Sequence, residues 1–438
     1  MSTAPIVAEP VADRARRRIT RRILPYLFIL FIVAFLDRVN VSYAALEMTK
    51  DLNFSPEVYG FGAGIFFAGY FLLEIPGAIL VERWSARAWI ARIMISWGIV
   101  AILTAFVQTA RQFYWVRFFL GAAEAGFFPG IIVYLGHWFR YADRAKALAL
   151  FLAALPVSNM IGSPISGLLL GINWLHLQGW RWLFILEGIP AVVLGVITLA
   201  YLTDWPHQAK WMPHDERQWI TSELEREKRA KQKAHPSGVW RTLSDQRVVV
   251  LSLAYFFMVA SVYGFTFWLP TIVKKLSGFS NLAVSLLAAL PYCMGLGATL
   301  FAGWSSDRTG ERRWHTACPM IVAGIALALG VVSQNTPLVT ISMFSLAAAG
   351  IYGYLPGFWS LPANFLTGTV AAASIGLINS IGNLGGFAGP YIVGYLNRST
   401  HSFSAGIIYL SLSAVIAAGL VLTLRSGEQE PMTSQSST

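Results

Sequence analysis

The sequence predicts an all-α integral membrane protein with twelve transmembrane helices in two pseudo-symmetric six-helix bundles. Three observations predict it. Of 438 residues, 55% are hydrophobic, 14% aromatic and only 13% charged, whereas a soluble protein carries roughly 25% charged residues. About a dozen apolar runs each reach the roughly 20 residues that cross a hydrocarbon core. One long polar stretch divides these runs into two equal sets.

In order, residues 1–22 form a basic segment in which Arg14, Arg16, Arg17, Arg18, Arg21 and Arg22 crowd ahead of the first span. The first bundle occupies 23–203, with spans near 23–46, 57–82, 88–108, 113–137, 145–171 and 181–203. Residues 204–246 are the polar linker, where Glu225 with Arg229 and Glu227 with Lys231 are spaced i,i+4 as in a solvent-exposed helix. The second bundle occupies 247–424, with spans near 247–274, 281–305, 315–334, 337–360, 371–396 and 403–424. The polar end, 425–438, lacks apolar periodicity and reads as a disordered tail.

The net charge of +11 is distributed as a membrane signal. Arg83 and Arg87, then Arg140, Arg144 and Lys146, then the linker, then Arg308, Arg312 and Arg313 recur in every second loop. That is the positive-inside pattern, which places both termini in the cytoplasm of a multi-pass protein of the cytoplasmic (inner) membrane and makes nucleic acid an unexpected partner. The first apolar run is too long for a cleavable signal peptide. Cys293 and Cys318 have neither disulfide nor zinc spacing and read as small apolar core residues. All seven His lie in loops or near span ends, and no Gly-x-Ser-x-Gly elbow, P-loop or strand-flanked Gly-x-Gly-x-x-Gly occurs. No enzyme and no cofactor is expected.

Charges inside the spans carry the functional signal. Asp37 and Arg38 sit together in the first span, and Arg117 and Glu124 sit seven residues apart in the fourth, two turns along one face. At 1.5 Å per residue, Asp37 lies about 13–14 Å and Glu124 about 16–17 Å from the outer ends of their spans, so both reach similar depth. Intramembrane ionisable residues mark functional sites by default. Between residues 246 and 424 no Asp, Glu, Lys or Arg falls in the middle of a span. Proton handling is therefore expected in the first half. Asn379 and Asn383, spaced i,i+4 in the eleventh span, are the best neutral candidates to face it, and an interhelical hydrogen bond is the competing reading. Glu74 and Glu187 read as packing or gate residues, and Tyr263, Tyr292, Trp359 and Asn364 as further cavity residues.

A repeat is visible in the loops. Ala78-x3-Glu82-Arg83-x-Ser85-x-Arg87 recurs as Gly303-x3-Asp307-Arg308-x-Gly310-x-Arg312-Arg313, with 307 − 82 = 225 positions between the acidic residues. The second copy resembles the signature loop of the major facilitator superfamily, and the first a degenerate version. Phe35-Leu-Asp37-Arg38-Val-Asn40, Arg117-Phe-Phe-Leu-Gly-Ala-Ala-Glu124, Gly179-Trp-Arg-Trp-Leu-Phe-Ile-Leu-Glu187 and Ser374-Ile-Gly-Leu-Ile-Asn379-Ser-Ile-Gly-Asn383 resemble the anion:cation symporter family, including its bacterial tartrate, aromatic-acid and sugar-acid permeases.

The resemblance implies the major facilitator fold and proton-coupled uptake of a small organic anion by alternating access. It implies Asp37 and Glu124 as proton-linked carboxyls and Arg38 and Tyr70 as substrate contacts. Arg117 and the loop residues Glu82, Arg83, Asp307 and Arg308 would form a charge or gating network. The expected partners are the anion, protons and the lipid bilayer, and the expected working unit is a monomer. Vesicular glutamate members carry a further Arg on the seventh helix that Ser261-Val-Tyr-Gly-Phe-Thr-Phe267 lacks, which leaves Arg117 as the second cation for a dianion. A facilitator or exchanger without proton coupling, or a transporter-like sensor, stands as the alternative.

Overall fold

Polar residues that accept a backbone N–H stand at the starts of several apolar runs and set helix boundaries. Ser55 accepts from the Val58 amide at 3.2 Å and precedes Pro56, Thr109 and Gln112 form a reciprocal capping box, and Ser280 and Asp245 cap two helices of the second half. Each contributes about 1 kcal/mol. The computed structural model describes residues 10–140, 143–144, 147, 151, 154–232, 245–362 and 368–424. The expected tail, Lys146 and Asn364 lie outside the described residues, as do the side chains of Glu82, Arg83 and Lys231.

The helices are α1 (Val11–Asp51), α2 (Pro56–Arg83), α3 (Ala86–Thr104), α4 (Ala110–Glu124), α5 (Phe127–Trp138), α6 (Ala154–Leu169), α7 (Gly179–Tyr201), α8 (His214–Gln232), α9 (Gln246–Ser277), α10 (Asn281–Thr309), α11 (Arg313–Val332), α12 (Pro337–Gly353), α13 (Leu355–Ser360), α14 (Gly368–Thr400) and α15 (Ser404–Thr423). Among the described residues ten helical segments are long and apolar enough to cross a membrane, α4 with α5 and α12 with α13 each counting as one. The described part of α6 and the polar, Gly-rich α14 complete the predicted twelve.

Pairings repeat between the halves. α1 packs on α6 and α7, α2 on α4, and α3 on α7; correspondingly α9 packs on α14 and α15, α10 on α12, and α11 on α15. The halves meet where α2 lies on α14, α6 on α10, and α1 on α9. A Cβ at Gly385 or Gly389 of α14 would strike the Phe256 and Ala260 carbonyls of α9. Small residues there let backbones approach in a medium that offers no hydrophobic driving force. At the face where α1 ends, Asn281 donates to Glu47 at 2.8 Å and Arg398 pairs with Glu57, both across the halves.

Several details differ from the sequence reading. The basic segment is not separate: α1 begins at Val11 and runs unbroken into the first span. The fourth and tenth spans are each broken, the fourth at Ala125 and Gly126 and the tenth at Tyr354. Cys293 and Cys318 are exposed rather than in the core; a thiol facing lipid costs no more than one facing protein.

The linker helix α8 is docked rather than free in solvent. Its Asp215 and Glu216 meet Arg14 and Arg18 of α1 at 2.6 and 2.7 Å, Glu223 and Glu227 stand 3.9 and 3.6 Å from Arg140 and Arg144, and Ile220 is buried. Trp219, Ile220 and Leu224 form a short apolar stripe that the i,i+4 charge count overlooked. The Glu216 backbone N–H, then Arg14, hold the Asp215 carboxyl below its ordinary value.

Candidate functional site

The break in the fourth span creates the site. Ala125 leaves the helical region at ψ 133 and Gly126 adopts a left-handed φ of 86, a conformation that costs glycine little. Glu124 thus becomes the last residue of α4, in mid-span, and its carboxylate pairs with the Arg38 guanidinium of α1. Arg38 also donates to the Tyr263 hydroxyl of α9 at 3.0 Å, so its fork joins both halves. Phe35, Phe66 and Tyr70 place their rings 5.1, 5.5 and 5.5 Å from that guanidinium, within cation–π range.

Accessibility separates the charges. Glu124 is 2%, Asp37 1% and Arg117 0% exposed, whereas the Arg38 side chain keeps 14%. Arg38 is the more exposed of the two cations. Arg117 lies 5.2 Å from the Phe66 ring, and none of its guanidinium nitrogens has a hydrogen-bond partner. Asp37 accepts from the Asn40 amide at 3.3 Å and has Glu187, Glu124 and Arg117 as charged neighbours.

The structure therefore brings together Asp37, Arg38, Tyr70, Arg117 and Glu124. Asn379 stands one layer away: its amide donates to Glu74 at 2.6 Å, beside Ser380 at 3.1 Å, with Asn383 also reaching Glu74. This polar clasp joins α2 to α14, and Arg38 is among its charged neighbours. The signature loop lies apart, at the basic face. Asp307 accepts from Arg312 at 2.8 Å, Arg308 lies over Trp304, Glu311 caps α11, and Arg313 donates to the Leu422 carbonyl. In the first half Asp204 does comparable work, accepting from Ser85 at 2.7 Å and the Arg87 amide at 2.9 Å at the start of α3.

Sequence reading ranked Tyr263 only as a cavity residue. A signal for it existed: Tyr263 is 225 positions from Arg38, the same offset as the repeated loops, so the pair sits at equivalent places in the two halves. The Ser166 contact on Glu187 and the Asp204 contacts at the start of α3 were missed, because hydrogen-bond partners far apart in sequence leave no local pattern.

Residues 27–390 match the family model described as Major Facilitator Superfamily. The chain is 47% identical over 414 residues, covering 94% of each chain, to an Agrobacterium vitis protein named "Putative tartrate transporter". It is 37% identical over 415 residues, 93% of each chain, to the Quinolone resistance transporter of Acinetobacter baumannii. The crystal structure of a bacterial homolog to the human lysosomal transporter Spinster, in an inward-facing and occupied conformation, superposes with a TM-score of 0.75 at 16% identity, covering 92% of this chain and 96% of that one.

Proposed function

The chain belongs to the major facilitator superfamily and is a multi-pass membrane transporter, not an enzyme, and from that premise we propose that it takes up a small organic anion together with protons. The observation that carries this reading is the Arg38–Glu124 pair. A substrate carboxylate and the Glu124 carboxylate compete for one guanidinium fork, whose geometry suits two carboxylate oxygens. Protonating Glu124 releases Arg38 to the anion, and binding the anion favours the proton on Glu124. Reciprocal linkage of this kind couples the two fluxes.

The cycle is alternating access. With the cavity open outward, Asp37 and Glu124 load protons and Arg38, with Tyr70 beneath and Tyr263 across the interface, takes the anion. The halves then rock, and inward release of anion and proton restores the pair. The Glu57–Arg398 and Glu47–Asn281 contacts act as an outer gate. The Glu74 clasp with Asn379, Ser380 and Asn383 holds the middle of the interface, with the two asparagines turning to substrate as it opens. Asp307, Arg308, Glu82 and Arg83 serve the rocking of the basic face. That face and both termini lie in the cytoplasm, the protein works as a monomer in the cytoplasmic membrane, and the substrate is a hydroxylated, sugar-acid or aromatic carboxylate such as tartrate, in line with the name of the Agrobacterium relative.

Proton influx into liposomes containing the purified protein tests the reading, with an internal pH dye and a panel of tartrate isomers, sugar acids and aromatic carboxylates. Acidification that follows one acid and is absent from protein-free liposomes supports symport. Labelled-acid exchange without acidification supports the facilitator or exchanger reading. The Acinetobacter relative's name makes a quinolone the natural contrasting compound, and proton-driven movement of it alone would refute the anion reading.

A further inference from the structure

The arginines ahead of the first span play no part in that cycle, and the helix that carries them sorts them into two faces. Arg14, Arg18 and Arg22 follow one another at i,i+4 along α1. Arg14 and Arg18 pair with Asp215 and Glu216 of α8, and the Arg22 guanidinium lies 4.5 and 4.8 Å from the Tyr201 and Trp211 rings. The other face carries Arg17 and Arg21, again one turn apart and both exposed. With Arg16 they line a cavity of about 330 Å³.

The cavity lies where α1 meets the chain just beyond α5. Arg140 completes its ring of cations, and Asp13 and Asp143 are the acids of the lining. Both acids are engaged: Asp13 accepts from Arg16 at 2.5 Å, and Asp143 accepts from Arg140 at 3.0 Å and stands 3.9 Å from Arg16. They fix Arg16 and Arg140 at the rim and leave the lining with two more positive charges than negative. Among the described residues Arg21 has no ion-pair partner. Arg144 nearby is committed elsewhere, donating to the Phe139 and Gly136 carbonyls at 2.8 and 3.0 Å. A concave wall with an excess of one sign focuses its field on a counter-ion.

Beneath the cations the walls are apolar: Ile19, Leu24, Trp138, Phe139 and Ile220 are all buried. Along α1 the lining runs from Asp13 to Leu24, about 16–17 Å of helix, and Leu24 belongs to the apolar run of the first span. The cavity therefore reaches from the aqueous side into the edge of the hydrocarbon, the level at which lipid phosphates and interfacial Trp side chains sit. A guanidinium fork matches phosphate oxygens, and basic pockets between membrane helices take anionic headgroups. A soluble oxyanion would use the arginines and leave the apolar floor without a partner. We propose that this cavity binds an anionic phospholipid, with Arg17 and Arg21 on its phosphate, Arg16 and Arg140 at the rim and the apolar floor against its glycerol. The surplus of two charges suits the two phosphates of a cardiolipin. The site is independent of the solute transported and of which side is the cytoplasm.

Native mass spectrometry of the purified full chain, titrated with phosphatidylcholine, phosphatidylglycerol or cardiolipin, tests the site. Wild type should retain the anionic lipids in preference to phosphatidylcholine, and cardiolipin most tightly. Arg21→Gln should weaken the tightest cardiolipin binding about fivefold, the worth of one basic residue near a charged membrane surface. Thr20→Glu, which adds an acid to the lining, should weaken it further. Arg229→Gln removes the same charge from an 81% exposed side chain of α8 and should bind as wild type does. An Arg21→Gln protein that binds like Arg229→Gln, or a wild type indifferent to headgroup charge, would overturn the site. Displacement of the bound cardiolipin by millimolar inorganic phosphate or tartrate would make the cavity a site for soluble oxyanions and overturn the lipid assignment.

Discussion

The two halves share a scaffold and differ in chemistry. Helix pairings recur, the fourth helix of each half is broken in mid-course, and Arg38 meets Tyr263 at the repeat offset of 225. Yet Asp37, Arg38, Glu74, Arg117, Glu124 and Glu187 all lie within spans of the first half, while the second half answers with Tyr263, Asn379, Ser380 and Asn383. The same backbone can thus present charge on one side of an interface and neutral donors on the other. On the proposed symport reading, keeping the intramembrane carboxyls in one half would let protonation alter a single partner choice, that of Arg38, while the other half reads the result.

The strongest way to break this division is to remove its central cation. Arg38→Ala leaves Glu124 buried without its partner, and truncating one member of such a pair costs about 2–5 kcal/mol. Substrate binding, measured by equilibrium titration of purified protein, should be lost, and retained affinity would move the anion site elsewhere. Next comes Glu124→Gln, which should abolish gradient-driven accumulation while sparing exchange; full accumulation would show that the proton is carried by another group.

Second-half substitutions should weaken transport without touching coupling. Tyr263→Phe deletes a hydrogen bond to a charged donor, worth about 1.5 kcal/mol or roughly tenfold in affinity. Asn379→Ala removes one arm of the Glu74 clasp and should change the uptake rate by a few-fold, about 1 kcal/mol. In both variants the proton-to-substrate ratio, read from reversal potentials, should equal that of wild type. A changed ratio in either would erase the distinction between a charged and a reading half.

Much of this was legible in the sequence, for physical reasons. A span must satisfy its own backbone in lipid, so apolar run length translates into helices with few errors. An intramembrane charge is costly enough that Asp37, Arg38, Arg117 and Glu124 announce themselves without any alignment. What stayed hidden is pairing. Nothing local says that Asn379 turns to Glu74, some 305 positions away. The break at Gly126 could have been read from Gly-Phe-Phe-Pro-Gly, but an apolar run long enough to span masks its own kink. The docking of α8 was obscured in the same way, because i,i+4 charge spacing is compatible with a free helix and with one whose acids already have partners.

That docking supplies the smallest effect, and it sharpens the comparison, because the described contacts of α8 fall on the first half. Glu216 is 1% exposed and bound by Arg18, itself substantially exposed, so Glu216→Ala should lower the stability of the detergent-purified protein by about 1 kcal/mol and leave proton coupling intact. Asp215, half-exposed beside Arg14, should contribute less and only through pH. Its carboxyl is held below the ordinary value in the folded state, so its contribution is present above the unfolded pKa of about 3.9 and is lost as pH falls through the folded one. Asp215→Asn should therefore slightly lower the melting temperature near neutral pH and make its decline on the acid side shallower. Equal loss at all pH values would mean that the charge of Asp215 contributes nothing to stability. Transport changes in either linker variant would instead make α8 part of the moving interface, and the second half would then have to be searched for its counterpart.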